Sequence, residues 1–350
     1  MPHNVRLMDT GLRSGRENIA HDQAMVDAHA AGKIPDTLKF IQFTPSALIG
    51  RHQDLSQELK LDECENRGVQ TVRRVSGGGA IYLDQGQIGW GLVCNRKILG
   101  SSSLTEITEK ICNAVAAGLS TLGIDAQFRP RNDIEVNGQK ISGTGGFFDG
   151  NTLIFQGTVL VDLDPETMMA VLNVPAHKME KRDLASAAQR VTSLKSLLGR
   201  TPSKGEIQSA MLNGFRDVLD FEFDDGISSD YEEGLAKQYH DEEIGTEEFV
   251  ADINDPARKA DVFVGRNEAG NLKAHVRLEG PKTDRIREVV FTGDIFITPP
   301  RILMDFESDL RGTKVEDIDE KTKAFFNKAD IGMISLKPVE FTAAIRDAIK

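Results

Sequence analysis

Residues 73–82 read Arg73-Arg74-Val75-Ser76-Gly77-Gly78-Gly79-Ala80-Ile81-Tyr82. Three consecutive glycines between a basic pair and a strand-like run make a loop whose backbone N–H groups can approach a ligand closely. The flanking arginines can neutralise a carboxylate or a phosphate. The stretch is neither a Walker loop, which needs Gly-x-x-x-x-Gly-Lys-Ser/Thr, nor a Gly-x-Gly-x-x-Gly dinucleotide fingerprint. An isolated Gly-Gly-Gly is more often a flexible hairpin tip, so its meaning has to come from its company.

Three further strings supply that company. Pro130-Arg131-Asn132-Asp133-Ile134-Glu135-Val136 runs through Asn137-Gly138 into Gln139-Lys140-Ile141-Ser142-Gly143-Thr144-Gly145-Gly146. Asn-Gly between short apolar runs predicts a hairpin with a two-residue type I′ turn. Lys140 then stands on a rigid strand facing a glycine loop, a suitable place for a cation that meets developing negative charge; taken alone, a surface strand lysine is the commoner reading. Gln156-Gly157-Thr158-Val159-Leu160 and Gln189-Arg190-Val191-Thr192-Ser193-Leu194 follow in order.

The surrounding pattern is mixed α/β. Residues 18–31 read as an amphipathic helix, and residues 38–43 and 47–50 as strands. Capping boxes at Ser103–Glu106 and Ser203–Glu206 open two more helices, the first closed by Gly123. Residues 153–155 and 158–161 read as strands after a turn at Asp149-Gly150-Asn151. The pattern restarts with strands at 262–264, 272–278 and 287–291, and with helices around Phe325-Phe326 and 341–349.

The 350 residues carry a net charge of −12 at 39% hydrophobic content, which describes a folded chain of one to three domains rather than a disordered one. The charge is unevenly placed: residues 1–220 are net −1, residues 221–255 net −12 and residues 256–350 net +1. That distribution suggests two near-neutral bodies joined by a solvated acidic segment. The expected organisation is a catalytic domain over 1–220, an acidic linker over 221–255 and a small α+β accessory domain over 256–350. No apolar run is long enough to span a membrane, and no clustered basic and aromatic stripe suggests nucleic-acid binding. Cys64, Cys94 and Cys112 are too few and scattered for a disulfide framework or a metal site. A polar start after Met1 and few cysteines suggest a cytoplasmic, reduced protein; nothing demands an oligomer, so a monomer is expected.

The strings, in this order, resemble the lipoate–protein ligase family, related to biotin–protein ligase. Arg73 to Ile81 match its Arg-Arg-x-Ser-Gly-Gly-Gly-Ala-Val loop, Arg131 to Asp133 its Arg-Asn-Asp, and Lys140 to Gly143 its Lys-Ile/Val-Ser-Gly. Gly157 to Leu160 match Gly-Thr-Leu-Leu and Arg190 to Leu194 match Arg-Val-Thr-x-Leu, while Gly50-Arg51-His52-Gln53 is similar to Gly-Arg-x-Gln. Toward the C-terminus, Gly293-Asp294-Ile295-Phe296 and Leu310-Arg311-Gly312 resemble segments of the family's accessory domain.

The resemblance implies an α/β (α+β) fold with a mixed-sheet catalytic domain, and an enzyme that uses ATP and Mg²⁺ to convert lipoic acid to lipoyl-AMP. The lipoyl group then passes to a lysine of an acceptor, such as a 2-oxoacid dehydrogenase E2, a glycine-cleavage H-like protein or a related lipoate-binding protein. By this likeness Lys140 bridges the lipoyl carboxylate and the α-phosphate. Arg73, Ser76, Gly77, Gly78, Gly79, Ala80 and Gly143 hold lipoate and phosphate oxygens. Asn132 and Asp133 orient the nucleotide, Asp133 also through a Mg²⁺ hydration shell, and Gly157 and Thr158 lie along the adenylate. Leu83 and Gln156 stand where the family commonly has histidine, which suggests an unusual acyl or acceptor preference. Phe147 and Phe148 could line an acyl channel or pack in the core. Octanoyl- and lipoyltransferases on the same fold use a cysteine acyl-enzyme instead of ATP, and none of the three cysteines stands where a nucleophile would face Lys140. A silent lipoate- or adenylate-binding regulator is the remaining alternative. A basic stretch at Lys178, Lys181 and Arg182 could meet pyrophosphate or an acidic acceptor.

Overall fold

The period-two pattern of residues 152–160 sorts side chains onto two faces of one strand. Leu153, Phe155 and Val159 join one buried cluster, and Ile154 joins a second on the opposite face. The computed structural model describes residues 2–173, 190–328 and 331–350. The basic stretch at Lys178, Lys181 and Arg182 lies outside the described residues.

The chain begins with β1 (His3–Arg13), α1 (Gly15–Ala30), β2 (Thr37–Phe43), β3 (Ser46–Ile49), α2 (Leu55–Glu58), α3 (Leu61–Asn66) and β4 (Gln70–Arg73). After the glycine-rich loop come β5 (Ile81–Leu83), β6 (Gln87–Asn95) and α4 (Leu104–Ser120). Then β7 (Gln127–Arg129), β8 (Asp133–Val136), β9 (Gln139–Asp149) and β10 (Thr152–Leu160) form a meander. It continues through α5 (Pro165–Val171), α6 (Leu194–Leu198), α7 (Lys204–Leu219), β11 (Phe221–Asp225), α8 (Asp230–Glu242) and α9 (Glu247–Val250).

These strands form an eight-stranded mixed sheet in the order β11-β1-β2-β6-β10-β9-β8-β7, and a small sheet in the order β4-β3-β5. The main sheet is parallel only where β1 meets β2 and β11. Helix α4 buries Ile107, Ile111, Val115 and Leu119 on one face of it, and α1 buries Ile19, Met25 and Val26 on the other. The Asn137-Gly138 turn has φ of 53° and 76°, the two positive values a type I′ turn requires. Ser103 and Ser203 cap their helices as expected, although the Glu106 carboxylate accepts from Ser101 rather than closing its box.

The acidic segment is not a solvated connector. Strand β11 pairs Phe221 with His3 at the edge of the main sheet, because Phe221 and Phe223 carry apolar surface into the core. Helix α8 packs along α1 and is anchored to β1 by ion pairs: Glu232, fully buried, takes both guanidinium nitrogens of Arg6 at 2.6 and 2.9 Å. Glu233 takes Arg13 at 2.8 and 3.1 Å. The first body therefore runs past residue 220, and Arg6 and Arg13 of β1 anchor the segment through Glu232 and Glu233.

Arg73 ties this segment to the rest. It ends β4 fully buried, and its guanidinium donates to the carbonyls of Gly50, Arg51 and Gln53 on one side and Phe249, Val250 and Ile253 on the other. Burial lowers its pKa to about 10, which still leaves it charged.

The C-terminal residues form a second core from β12 (Phe263–Arg266), β13 (Leu272–Glu279), β14 (Arg285–Gly293), β15 (Phe296–Thr298), α10 (Ile302–Asp309), α11 (Ile318–Phe326), β16 (Gly332–Ile334) and α12 (Pro338–Ala348). Phe291 stacks on Phe306 at 5.6 Å and meets Phe341 edge-on at 5.0 Å. The β15–β16 pair bridges the two cores, with Ile297 in this one and Ile334 in the first, and docks on β9, where the Thr298 hydroxyl exchanges hydrogen bonds with the Phe148 backbone. No helix among the described residues is long and apolar enough to cross a membrane.

Replacing Arg73 by Lys leaves several of those carbonyls without donors, because an ammonium cannot reproduce a planar five-donor fork. The variant should lose about 3 kcal/mol or more in urea unfolding and expose residues 249–253 to proteolysis. Undiminished stability with a selective loss of ligand affinity would return Arg73 to the binding site. A second expectation concerns Glu307, whose carboxyl is pushed up to about 7 by burial while accepting from the Phe291 N–H at 2.7 Å. A raised carboxyl pKa means the folded state binds the extra proton, so stability falls as pH rises from about 4.5 to 7. Glu307→Gln should be more stable than the parent at pH 8 by roughly 1–2 kcal/mol, after discounting for residual exposure, with the gain vanishing near pH 4.5. A pH-independent difference in urea midpoints would contradict this.

Candidate active site

The glycine-rich loop lies between β4 and β5, covered by β15. Its glycines answer a steric demand. A Cβ on Gly77 would lie 1.8 Å from the Ile295 carbonyl oxygen, and one on Gly78 would lie 2.4 Å from the Phe296 ring. Gly78 also has φ +98°, a region that side-chain-bearing residues avoid. Gly79 faces the Asp294 carboxylate, and Ser76 is buried with its carbonyl accepting from Arg51 N–H at 2.9 Å. Ala80 is half-buried against the cluster around Ala47 and Tyr82.

The adjacent arginines divide their work. Arg73, expected at the ligand, is committed to backbone carbonyls of residues 50–53 and 249–253, so it has no donor left to turn toward an anion in this arrangement. Arg74 instead folds into the loop, donating to Gly77 O at 2.8 Å and Gly79 O at 2.8 Å. Its Nη1 is buried with no hydrogen-bond partner, as is Asp294 Oδ1. An orphaned guanidinium nitrogen inside a glycine loop can take an oxygen acceptor, and the Asp294 carboxylate supplies negative charge to Arg74 in the free protein. Burial lowers the Arg74 pKa to about 10, so it remains cationic at neutral pH. Sequence alone could not choose between two neighbouring arginines; the alternation of a strand end, which sends successive side chains to opposite sides, was the signal available.

The second half of the site is the β8–β9 hairpin. Lys140 Nζ lies 2.6 Å from Asp133 Oδ1, with the two side chains 35% and 27% exposed. Gly143 makes room for this: a Cβ there would lie 2.6 Å from Lys140 Nζ. The Lys140 backbone is clamped by Arg190 O at 2.8 Å and Thr192 N at 2.9 Å, which is what the Arg-Val-Thr string does in the fold. Asn132 is oriented by Thr144, whose N–H and hydroxyl both donate to Asn132 O at 3.0 and 2.8 Å. Gly145 borders the cleft, where a Cβ would lie 2.6 Å from Phe296. Phe296 thus wedges between Gly78 and Gly145.

Other expected residues are placed differently. Gly157 turns its α-carbon into the core, where a Cβ would meet the Trp90 indole at 2.6 Å, so packing explains that glycine. Thr158 lies on the opposite face of β10, half-buried. Phe147 and Phe148 are buried in the clusters on opposite faces of the sheet. Asp133 is turned to Lys140, and among the described residues there is no group of three or more His, Cys, Asp or Glu side chains fit to hold a metal. A Mg²⁺ ion held through water beside phosphate oxygens needs one or two carboxylates rather than such a group, and Asp133 is the residue beside Lys140 that would hold it. All three cysteines are buried, and burial raises their thiol pKa values, to about 11 for Cys64 and about 12 for Cys112, whose Sγ lies 3.3 Å from Thr144 Oγ1. The features missed in the sequence are the buried, unpartnered Nη1 of Arg74 and the Phe296 wedge.

Comparison with known proteins agrees with this architecture. Residues 14–216 match the model of the family described as lipoyl protein ligase A/B catalytic domain. Octanoyltransferase LipM of Kyrpidia tusciae is 29% identical over 67% of this chain and 93% of its own length. Lipoate-protein ligase A subunit 1 of Thermoplasma acidophilum is 28% identical over 67% of this chain and 91% of its own length. The solved bipartite lipoate protein ligase of T. acidophilum, described with its E2 lipoyl domain, superposes with TM-score 0.63 at 26% identity, covering 71% of this chain and 97% of that one. P. falciparum LipL1 in complex with lipoate shares the fold across 99% of this chain and 100% of its own, with TM-score 0.75 at 16% identity. The glycine loop around Arg74 and the Lys140 hairpin thus belong to a member of the lipoyl protein ligase A/B catalytic domain family, the group that contains lipoate–protein ligases and octanoyltransferases.

Proposed function

We propose that the protein is an ATP-dependent lipoate–protein ligase. The lipoate carboxylate attacks the α-phosphorus of ATP, an oxygen–phosphorus bond forms as pyrophosphate leaves, and lipoyl-AMP remains bound. A lysine amine of an acceptor domain then attacks the acyl carbonyl, forming an amide and releasing AMP. A carboxylate and a polyphosphate repel each other, so the first step needs fixed cations at their meeting point. Lys140 is held at that point by its clamped strand, and Arg74 Nη1 is the second donor. In the free protein Asp133 neutralises Lys140; a partly exposed pair of this kind is worth at most about 1 kcal/mol, so an incoming anion can displace it.

The observation that carries the reading is the condition of the cysteines. An octanoyltransferase that works through a cysteine acyl-enzyme needs a thiolate at the surface of the cleft, and here each thiol is buried with a raised pKa. The acyl group must then be activated by something other than the enzyme's sulfur, and an adenylate meets that need. A lipoyl domain is the acceptor we assign, by analogy with the T. acidophilum ligase described with its E2 lipoyl domain.

Lipoate-dependent exchange of labelled pyrophosphate into ATP tests the first step. Exchange should be present in the parent and fall about 10²–10³-fold in Lys140→Ala, the loss expected for a preorganised cation. It should persist within a few-fold when Cys64, Cys94 and Cys112 are all replaced by Ala. A folded protein without exchange, or one whose acyl transfer vanishes with the cysteines, would overturn the assignment.

A further inference from the structure

The strand register builds a polar row beside the cleft. Lys39 pairs with Gly91, Gly91 with Gln156, and Gln156 with Gly145. Paired residues share a face, so these four cross β2, β6, β10 and β9 on the side covered by α1. Glycines flank Gln156 on both sides. The space over Gly91 is filled by the aliphatic stem of Lys39, and the space over Gly145 by the ring of Phe296. If Phe296 withdraws, the cleft opens beside Gln156.

Three buried groups hold Gln156. Lys39 and Asp22 are both fully buried, with Nζ 2.5 Å from Asp22 Oδ1. Asp22 Oδ2 accepts from the Gln156 amide nitrogen. His21 Nδ1 lies 3.1 Å from Lys39 Nζ, and its other nitrogen lies 3.0 Å from Ser228 Oγ and 3.4 Å from the Glu233 carboxylate. Burial, together with Lys39, Arg13 and Arg6, drives the His21 pKa to about 2. The ring is therefore neutral, with Nδ1 accepting from the ammonium and Nε2–H facing Ser228 and Glu233.

A buried ion pair is weak evidence for stability, since apolar residues of similar volume serve as well. What it does here is orient an amide. A carboxylate only accepts hydrogen bonds, so the Gln156 NH₂ must face Asp22, and Oε1 is left as an acceptor. Among the described residues no donor meets Oε1, and Gln156 is half-exposed. The distance from the reacting end follows from the same register. Lys140 Nζ lies over Gly143; Gln156 is level with Gly145, two residues along β9, and one strand across on β10, which puts it about 8 Å away. That span corresponds to a chain of about seven carbons.

We propose that Gln156, held by Asp22 and Lys39, is a specificity-determining acceptor for a hydrogen-bond donor at the far end of a medium-chain carboxylic acid. The donor is of the hydroxyl, thiol or ureido N–H class. The proposal rests on the acid-activation reading above and adds to it which acids are activated best. A plain alkyl end leaves Oε1 desolvated and unpaired, which is how a site built to bond a polar group rejects its apolar analogue.

The test is acid-dependent pyrophosphate exchange with the full chain, using octanoate, ω-hydroxyoctanoate, oxidised lipoate, reduced lipoate and biotin. The parent should show kcat/KM about tenfold higher for ω-hydroxyoctanoate than for octanoate, and higher for reduced than for oxidised lipoate. Gln156→Leu and Gln156→Met, checked for an unchanged thermal midpoint, should lose the preference, mainly through KM for the polar acid. Equal use of octanoate and ω-hydroxyoctanoate by the parent overturns the proposal without any variant, and leaves acid activation standing. A preference that survives in both variants also overturns it. Absence of exchange with every acid overturns both readings.

Discussion

The Arg73 guanidinium is the contact on which the rest of the structure depends. A buried cation without a carboxylate beside it is costly, and it is stabilised here by carbonyl oxygens from two segments far apart in sequence, residues 50–53 and 249–253. Asp54 and Asp252 supply negative charge nearby. Satisfying this one group fixes the turn after β3, the end of β4 where the glycine loop departs, and the segment leading to the second core. With the loop's origin fixed, Arg74 can enter the loop and Gly77–Gly79 can lie under β15.

The cleft is defined as much by missing side chains as by present ones. Gly77 and Gly78 admit β15, Gly143 lets Lys140 fold back along its strand, and Gly145 accepts the Phe296 ring. The same ring touches both halves of the site, so the second core covers the cleft rather than standing apart from it. The hydrogen bonds of Gly78 with Ile295 and of Thr298 with the Phe148 backbone tie β15 over the cleft, and Gly293 N–H donating to His52 O ties the strand before it.

Much of this was legible in the sequence where local chemistry decides the outcome. Asn137-Gly138 predicts its own turn because two consecutive positive φ values suit few residues, and the capping serines mark helix starts by their side-chain oxygens. The order of the glycine, Asn-Asp, Lys and Arg-Val-Thr strings identified the family and brought Asn132, Asp133, Lys140 and Gly143 to one place. What was not legible depends on partners distant in the chain. The acidic run looks solvated until Arg6 and Arg13 are known to face it. Arg73 and Arg74 are indistinguishable until the strand end separates them. Gly157 resembles a ligand-side glycine until Trp90 is seen against it.

In the reaction we propose, activation of the acyl group occurs on phosphorus and not on sulfur. The most direct measurement incubates the protein with ATP and lipoate in the absence of an acceptor. The quenched mixture is then examined by mass spectrometry for both the intact chain and the small molecules. An adenylating enzyme gives an unmodified chain mass with lipoyl-AMP and pyrophosphate recovered together. A chain heavier by one acyl group, released by hydroxylamine, with no adenylate formed, would contradict it.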